Sequence, residues 1–483
     1  MHQLIFGPAL FFASQALFYD LPEYLNIVSN NSFLQVFSLG HFPIHPIFMG
    51  ILWILTRFLP VNAIAMVFGA ISIIIFHKIA KLIFKNGSYW LSTVIFALFP
   101  AVWLINTNLM VESVTLTLYL AGLYFFLTKK AMPFFISLFL MIGTHLQSIF
   151  WIPALFLAPY IFEVNFKKED VIKFIKIALA GISMSIVFYI LLYYCSGRIP
   201  GGTTEQLATY LSSGILRMIR NIWLSFIRNF GTLTPFVLTL VLVRKIKSKK
   251  VSIAWIMFLV LVAIMGANWQ GDFMGRRIIF SGVILALGLY KYLQKWSVFF
   301  ILYLLPIVAA NVILYSNSSP FITPNIPKGQ VLIETHFLKP FIKYDGTTLW
   351  IGESDLGVID NYLKNGTRVF LTEQAITAPY LLLVGQNYHI TSLGKVGDSE
   401  SRFLFKKYTV EQYNDSFELK RFNGVVSAEA GSPVIYYDQS FWGRLARRRI
   451  DYGDIGTWLW AFAANHRDPT GWIYKDARGV VTY

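Results

Sequence analysis

The residues best equipped to do chemistry lie in one early stretch, FYDLPEYLNIVSNNSFLQVFSLGHFPIHPIFMGILW. Asp20 stands where an apolar run gives way to polar sequence, and Glu23 follows shortly after it. Either carboxylate is suited to take a proton from an attacking hydroxyl. An acid at the edge of an apolar span is costly unless it is solvated or used. Asp20 therefore either ends a helix at the water interface or serves a reaction. The GHFPIHP segment supplies His41, Pro43, His45 and Pro46. Its prolines forbid a regular helix across the segment. His41 and His45, as neutral imidazoles beside Asp20, make a set able to ligate a divalent metal; the alternative is that each is an ordinary polar loop residue.

A second group is cationic. ANWQGDFMGRRIIF carries Asp272, Arg276 and Arg277 just before an apolar run. Paired guanidinium groups suit bidentate phosphate binding, and the competing reading is interfacial snorkelling. Arg198, Arg217, Arg220 and Arg228 lie in and around another loop, with Arg228 inside an apolar run. An ionised group at membrane depth is a functional candidate by default. Glu112 opens the apolar run after INTNLMV, and His145 and Gln147 mark a turn between two others. Taken singly, these three read more readily as helix-end residues than as ligands.

The elements that must hold these groups are apolar. Hydrophobic residues make up 56% of the 483, charged residues 14%, and aromatics 17% with 43 Phe. They come in uninterrupted blocks rather than alternating with polar faces, which is the lipid-facing pattern. Spans of ~20 residues fit near 3–19, 62–84, 89–104, 110–128, 131–145, 147–163, 174–195, 222–243, 251–267, 278–293 and 297–315. The sequence thus predicts a polytopic α-helical membrane protein of about eleven transmembrane helices, with 46–59 as a short interfacial or re-entrant helix. The N-terminus lacks a basic region and a small-residue cleavage motif, and reads as a retained first helix.

Lysine sorts the loops. Lys78, Lys81 and Lys85, Lys129 and Lys130, Lys167 to Lys176, Arg244 to Lys250, and Lys291 and Lys295 each follow an even-numbered span. The positive-inside rule makes these loops and the N-terminus cytoplasmic. Asp20, His45, Glu112, His145 and the arginine loops then share the extracytoplasmic face. The net charge of +16 is accounted for by retained lysines, and nucleic-acid binding is excluded as a reading because no basic stripe lies on a soluble face. Cys195, the only cysteine, forms no intrachain disulfide.

Beyond residue 315 the composition changes. SNSSPFITPNIPKG (316–329) reads as a linker. Strand-like runs at 331–335, 367–372 and 387–393, with helix-like segments near 354–365 and 373–384, predict a soluble extracytoplasmic α/β domain over 331–483.

An acid at the outer end of the first helix, then EYL, then a Pro/His-rich segment before an apolar stretch resembles the GT-C glycosyltransferases. The likeness is greatest to the protein O-mannosyltransferase and aminoarabinose-transferase-like branch. It rests on Asp20, Glu23 and His45-Pro46, on ALFPAVWLINTNLMVESVTLTLYLAGLYFFL with Glu112, and on the late arginines, and it spans residues 1–315. Two departures stand out: Leu21 and Pro22 separate acids that are adjacent in the family, and Ile47 replaces a second proline. The resemblance implies transfer of a sugar from a polyprenyl-phosphate donor to a glycan, lipid or protein acceptor at the outer face of the cell membrane, by inverting single displacement. Asp20 or Glu23 would act as base. His45, Glu112, Arg228, Asp272, Arg276 and Arg277 would meet the substrate and its lipid phosphate. A divalent metal is the one cofactor left open, at His41 and His45. No Gly-rich phosphate loop occurs, which agrees with a lipid rather than a nucleotide donor. The competing readings are a polysaccharide polymerase or ligase acting on lipid-linked glycans, a transporter or flippase, and a non-catalytic scaffold presenting the C-terminal domain.

Overall fold

Where the apolar runs are bounded by proline, glycine or lysine, they fold as helices. The computed structural model describes residues 21–39, 45–84, 87, 89–99, 101–102, 105, 109–196, 222, 246, 248–267, 278–305, 308, 322–324, 327–334, 344–350, 354–372, 388–403, 406–421, 473–474 and 481–482. The chain divides into two compact units, Met1–Val312 and Ile313–Tyr483.

In the first unit, α1 (Leu21–Asn30) leads through a 3-10 turn (Gln35–Ser38) to α2 (Pro46–Leu55), which has proline in its first turn. There the absent proline N–H costs nothing. α3 (Val61–Ile83) starts after Pro60, and α4 (Trp90–Leu98) stops short of Pro100. α5 (Val111–Leu127) and α6 (Ala131–Thr144) form a hairpin closed by Thr128, Lys129 and Lys130, with Lys129 left-handed at φ 58°. A 3-10 turn (Leu146–Trp151) runs into α7 (Ile152–Phe162), which ends at left-handed Glu163. α8 (Lys168–Ser196), α9 (Lys249–Ala267), α10 (Ser281–Leu293) and α11 (Gln294–Leu305) follow. α10 is central, being buried from Ser281 to Tyr290.

Two of these helices, over Ala63–Ile83 and Lys168–Cys195, are long and apolar enough to cross a membrane. Only 22% of the second one's most apolar window is buried. Its exposed side chains include Ile175, Leu179, Met184, Val187, Ile190 and Leu191. α9 likewise exposes Ile253, Ile256, Met257, Val260 and Ile264. An apolar face this continuous does not suit water. Other helices are shorter than the expected spans. At 14 residues, α6 rises about 21 Å, against about 30 Å for a bilayer core. In the 89–104 run, α4 ends at Leu98 and Phe99 is extended, while in 297–315 the described residues are helical through Leu305 and again at Val308. The stretch 46–59 is helical only to Leu55, then turns through Leu59. The expected spans at 3–19 and 222–243 lie outside the described residues, apart from Ile222.

Hydroxyl groups join the helices inside this unit. Ser72 Oγ on α3 and Thr117 Oγ1 on α5 are 2.7 Å apart, and Thr117 also donates to Ser113 O at 2.9 Å. Such bonds serve helix pairs that have little hydrophobic drive to associate in lipid.

The second unit is built on a six-stranded mixed sheet in the order β1-β5-β6-β4-β2-β3. β1 is Ile322–Pro324, β2 Val331–Glu334, β3 Thr347–Trp350, β4 Val369–Thr372, β5 Tyr388–Phe403 and β6 Lys406–Arg421. β2 lies parallel to both β3 and β4, while β5 and β6 form a long antiparallel hairpin bonded to β4. A short pair, β7 (Ile473–Tyr474) and β8 (Val481–Thr482), stands apart from it. α12 (Leu356–Lys364) links β3 to β4: Asp355 caps it by accepting from Val358 N–H at 2.8 Å, and Gly366 ends it at φ 75°. Two features depart from expectation. Ile322–Pro324, inside the stretch read as linker, is a strand, because its extended backbone bonds to the edge of β5. β3 and β6 form where no strand is expected from the pattern. The expected helix near 373–384 lies outside the described residues.

Candidate functional site

At the far end of the α5–α6 hairpin from Lys129 and Lys130, polar side chains gather in an otherwise apolar body. α5 begins there with Glu112 in its first turn, and α6 ends there at Thr144. Ser113 fixes the opening of α5: its Oγ accepts from Met110 N–H at 3.1 Å and donates to Ile105 O. Glu112 is only 3% exposed. A helix N-terminus favours an anion there.

The last carbonyls of α6 have no partner within the helix and must find one elsewhere. Tyr189 OH, from α8, donates to Ile142 O at 3.0 Å. His45 Nδ1 lies 3.1 Å from Thr144 O. A carbonyl only accepts, so Nδ1 carries a proton in this bond. His45 is 5% exposed. Its ring stacks on His145, with centroids 5.3 Å apart and planes 28° apart, and meets Tyr24 of α1 edge-on at 6.0 Å. Gly143 makes this approach feasible: a Cβ there would lie 2.6 Å from Ile47 Cγ1, the second residue of α2. Glycine on α6 thus lets the start of α2, and His45 with it, close onto the α6 terminus.

The structure therefore brings His45 against His145 and places Glu112 at the same end of the hairpin. Glu23 lies on α1 next to Tyr24. Asp20, His41, Arg228, Asp272, Arg276 and Arg277 lie outside the described residues. Asp20 directly precedes α1, and Arg277 directly precedes Ile278, which is fully buried ahead of α10. Among the described residues no group of three potential metal ligands occurs, and Asp20 and His41 of the expected set are not among those residues. The sequence reading gives His145 no role beyond a turn marker and gives Tyr24 and Tyr189 none. The only signal available for His145 was its assignment, from lysine sorting, to the same face as His45.

The opposite end is cationic. Lys129 pairs with Asp170 at 2.6 Å, and Lys291 with Glu163 at 2.7 Å. Lys78, Lys81, Lys130 and Lys167 are exposed. Among the described residues, His45, His145 and Glu112 thus gather at one end of the hairpin, and the lysines, two of them paired with Asp170 and Glu163, gather at the other. In comparisons with known proteins, no family model matches the chain, and no match to a curated protein is found.

Proposed function

We propose that the protein is an integral membrane glycosyltransferase of the GT-C type, using a polyprenyl-phosphate-linked sugar at the extracytoplasmic face. The observation that carries this reading is the burial of Glu112 and His45, the latter stacked on His145, at the hairpin end opposite Lys129 and Lys130. Buried ionisable groups in a lipid-facing body are expensive and tend to be kept for function. Together with the exposed apolar faces of α8 and α9, they support a place in a membrane; the reading adds about eleven spans, a cytoplasmic N-terminus and an extracytoplasmic C-terminal unit acting as an accessory.

In this reading the carboxylate of Asp20, or of Glu23, takes the proton of an acceptor hydroxyl as its oxygen attacks the anomeric carbon. The bond from that carbon to the lipid phosphate breaks on the opposite side, inverting the centre. Arg276, Arg277 and Arg228 offset the charge that develops on the departing phosphate, and Asp272 belongs to the same substrate-binding group. His45 and Glu112 bind the transferring sugar. The test is turnover of a panel of polyprenyl-phosphate hexoses by the full chain in liposomes. Asp20→Asn should abolish release of polyprenyl phosphate while leaving membrane insertion intact, and wild-type turnover in that variant would sink the assignment.

A further inference from the structure

The segment from Asn31 to Pro60 carries a patch that neither the proposed chemistry nor the helix packing uses. Leu34 is 80% exposed, Phe58 77%, Ile54 43% and Leu59 36%. These side chains sit on a built surface. Trp53 Nε1 donates to Asn31 O at 3.0 Å, Phe33 packs on Trp53 at 5.2 Å and on Phe37 at 5.0 Å, and Val36 is fully buried beneath. Ser32 N–H and Oγ both donate to Gln35 Oε1, which holds Leu34 at the head of the 3-10 turn. At the other edge, Phe58 N–H and Leu59 N–H both donate to Leu55 O and turn those two residues outward.

The patch has a cation at its rim. The Arg57 guanidinium lies 3.5 Å from the Trp53 ring centroid. No Asp or Glu occurs between Glu23 and Glu112 in the sequence. The patch also has a fixed depth, since the chain passes from Phe58 through Pro60 directly into the candidate span that opens at Ala63. Apolar tips, a tryptophan and an arginine at a span boundary match the headgroup–acyl junction of a bilayer, where amphipathic rings and snorkelling cations settle.

We infer that this patch is seated in the outer leaflet of the bilayer, with Leu34, Ile54, Phe58 and Leu59 among phospholipid acyl chains and Arg57 at the level of the lipid phosphates. The inference rests on the membrane reading above and adds that the loop leading to His45 is held down by lipid. It is tested on the full chain with Cys195→Ser, carrying a single NBD-labelled cysteine from Phe58→Cys, Leu34→Cys or Ile74→Cys, reconstituted in liposomes of phosphatidylcholine and phosphatidylglycerol. Labels at 58 and 34 should lose more fluorescence to shallow doxyl-lipid than to aqueous iodide, and adding Arg57→Gln should weaken the lipid quenching at 58. Stronger quenching by iodide would overturn the inference, as would quenching by neither agent, which marks cover by protein. Ile74, an exposed residue within the candidate span, separates the two failures. Lipid quenching at 74 without quenching at 58 and 34 rejects the patch alone, and its loss at 74 rejects the membrane reading itself.

Discussion

The bond from His45 Nδ1–H to the Thr144 carbonyl gives one side chain two separable duties. One nitrogen caps a helix end, and the ring that carries it is the one proposed to meet the sugar. Asparagine can mimic the Nδ1 donor but offers nothing at the position of Nε2. His45→Asn should therefore keep thermal stability in detergent within about 1 kcal/mol of the parent, because the Thr144 carbonyl stays bonded, and should lose transfer activity. His45→Ala leaves that buried carbonyl bare and should cost about 1–3 kcal/mol as well. Equal activity in the asparagine variant and the parent would reduce His45 to a cap. This pairing was half legible in the sequence. GHFPIHP drew attention to His45, but its partner lies 99 residues away, and no local pattern encodes that distance. His145 looked like a turn residue because, seen along the chain, it is one.

Among the elements, Gly143 decides how close α2 can come to α6. Ile47 is β-branched and stiff about its first torsion, and the atom a new Cβ would meet is Cγ1 rather than a distant tip. Gly143→Ala should therefore displace the start of α2, cost about 1–3 kcal/mol by overpacking, and lower activity by moving His45. Adding Ile47→Ala should recover part of that activity, measured as turnover of single and double variants side by side; an unchanged or worsened double variant would show that contact to be incidental. The apolar helices were the most legible elements. α3 at Val61–Ile83, α5 at Val111–Leu127 and α6 at Ala131–Thr144 follow runs that only a helix can bury or present to lipid. The sheet was less legible. β4 shows as VFLT, whereas β6, KKYTVEQYNDSFELKR, is rich in charge, and β1 is a strand only because β5 offers it an edge. Pairing across distance settles such strands, and composition does not record it.

For the whole molecule, the placement of Lys129 and Lys130 at the hairpin end opposite His45 and Glu112 is the feature that bears most on orientation. With Cys195→Ser as background, a cysteine at Asn30 should react with an impermeant maleimide added outside intact cells, and one at Lys130 only after permeabilisation. Labelling of both from one side would undo the assigned topology. In the proposed reaction the donor's phosphate sits at the end marked by His45 and Glu112. The most direct measurement is the position of that phosphate in a structure of the full chain in lipid nanodiscs with a polyprenyl phosphate analogue. The phosphate should lie at the His45 and Glu112 end of the α5–α6 hairpin, between Asp20 and the Arg276–Arg277 pair. A phosphate bound instead at the Lys129–Lys130 end would contradict the proposal.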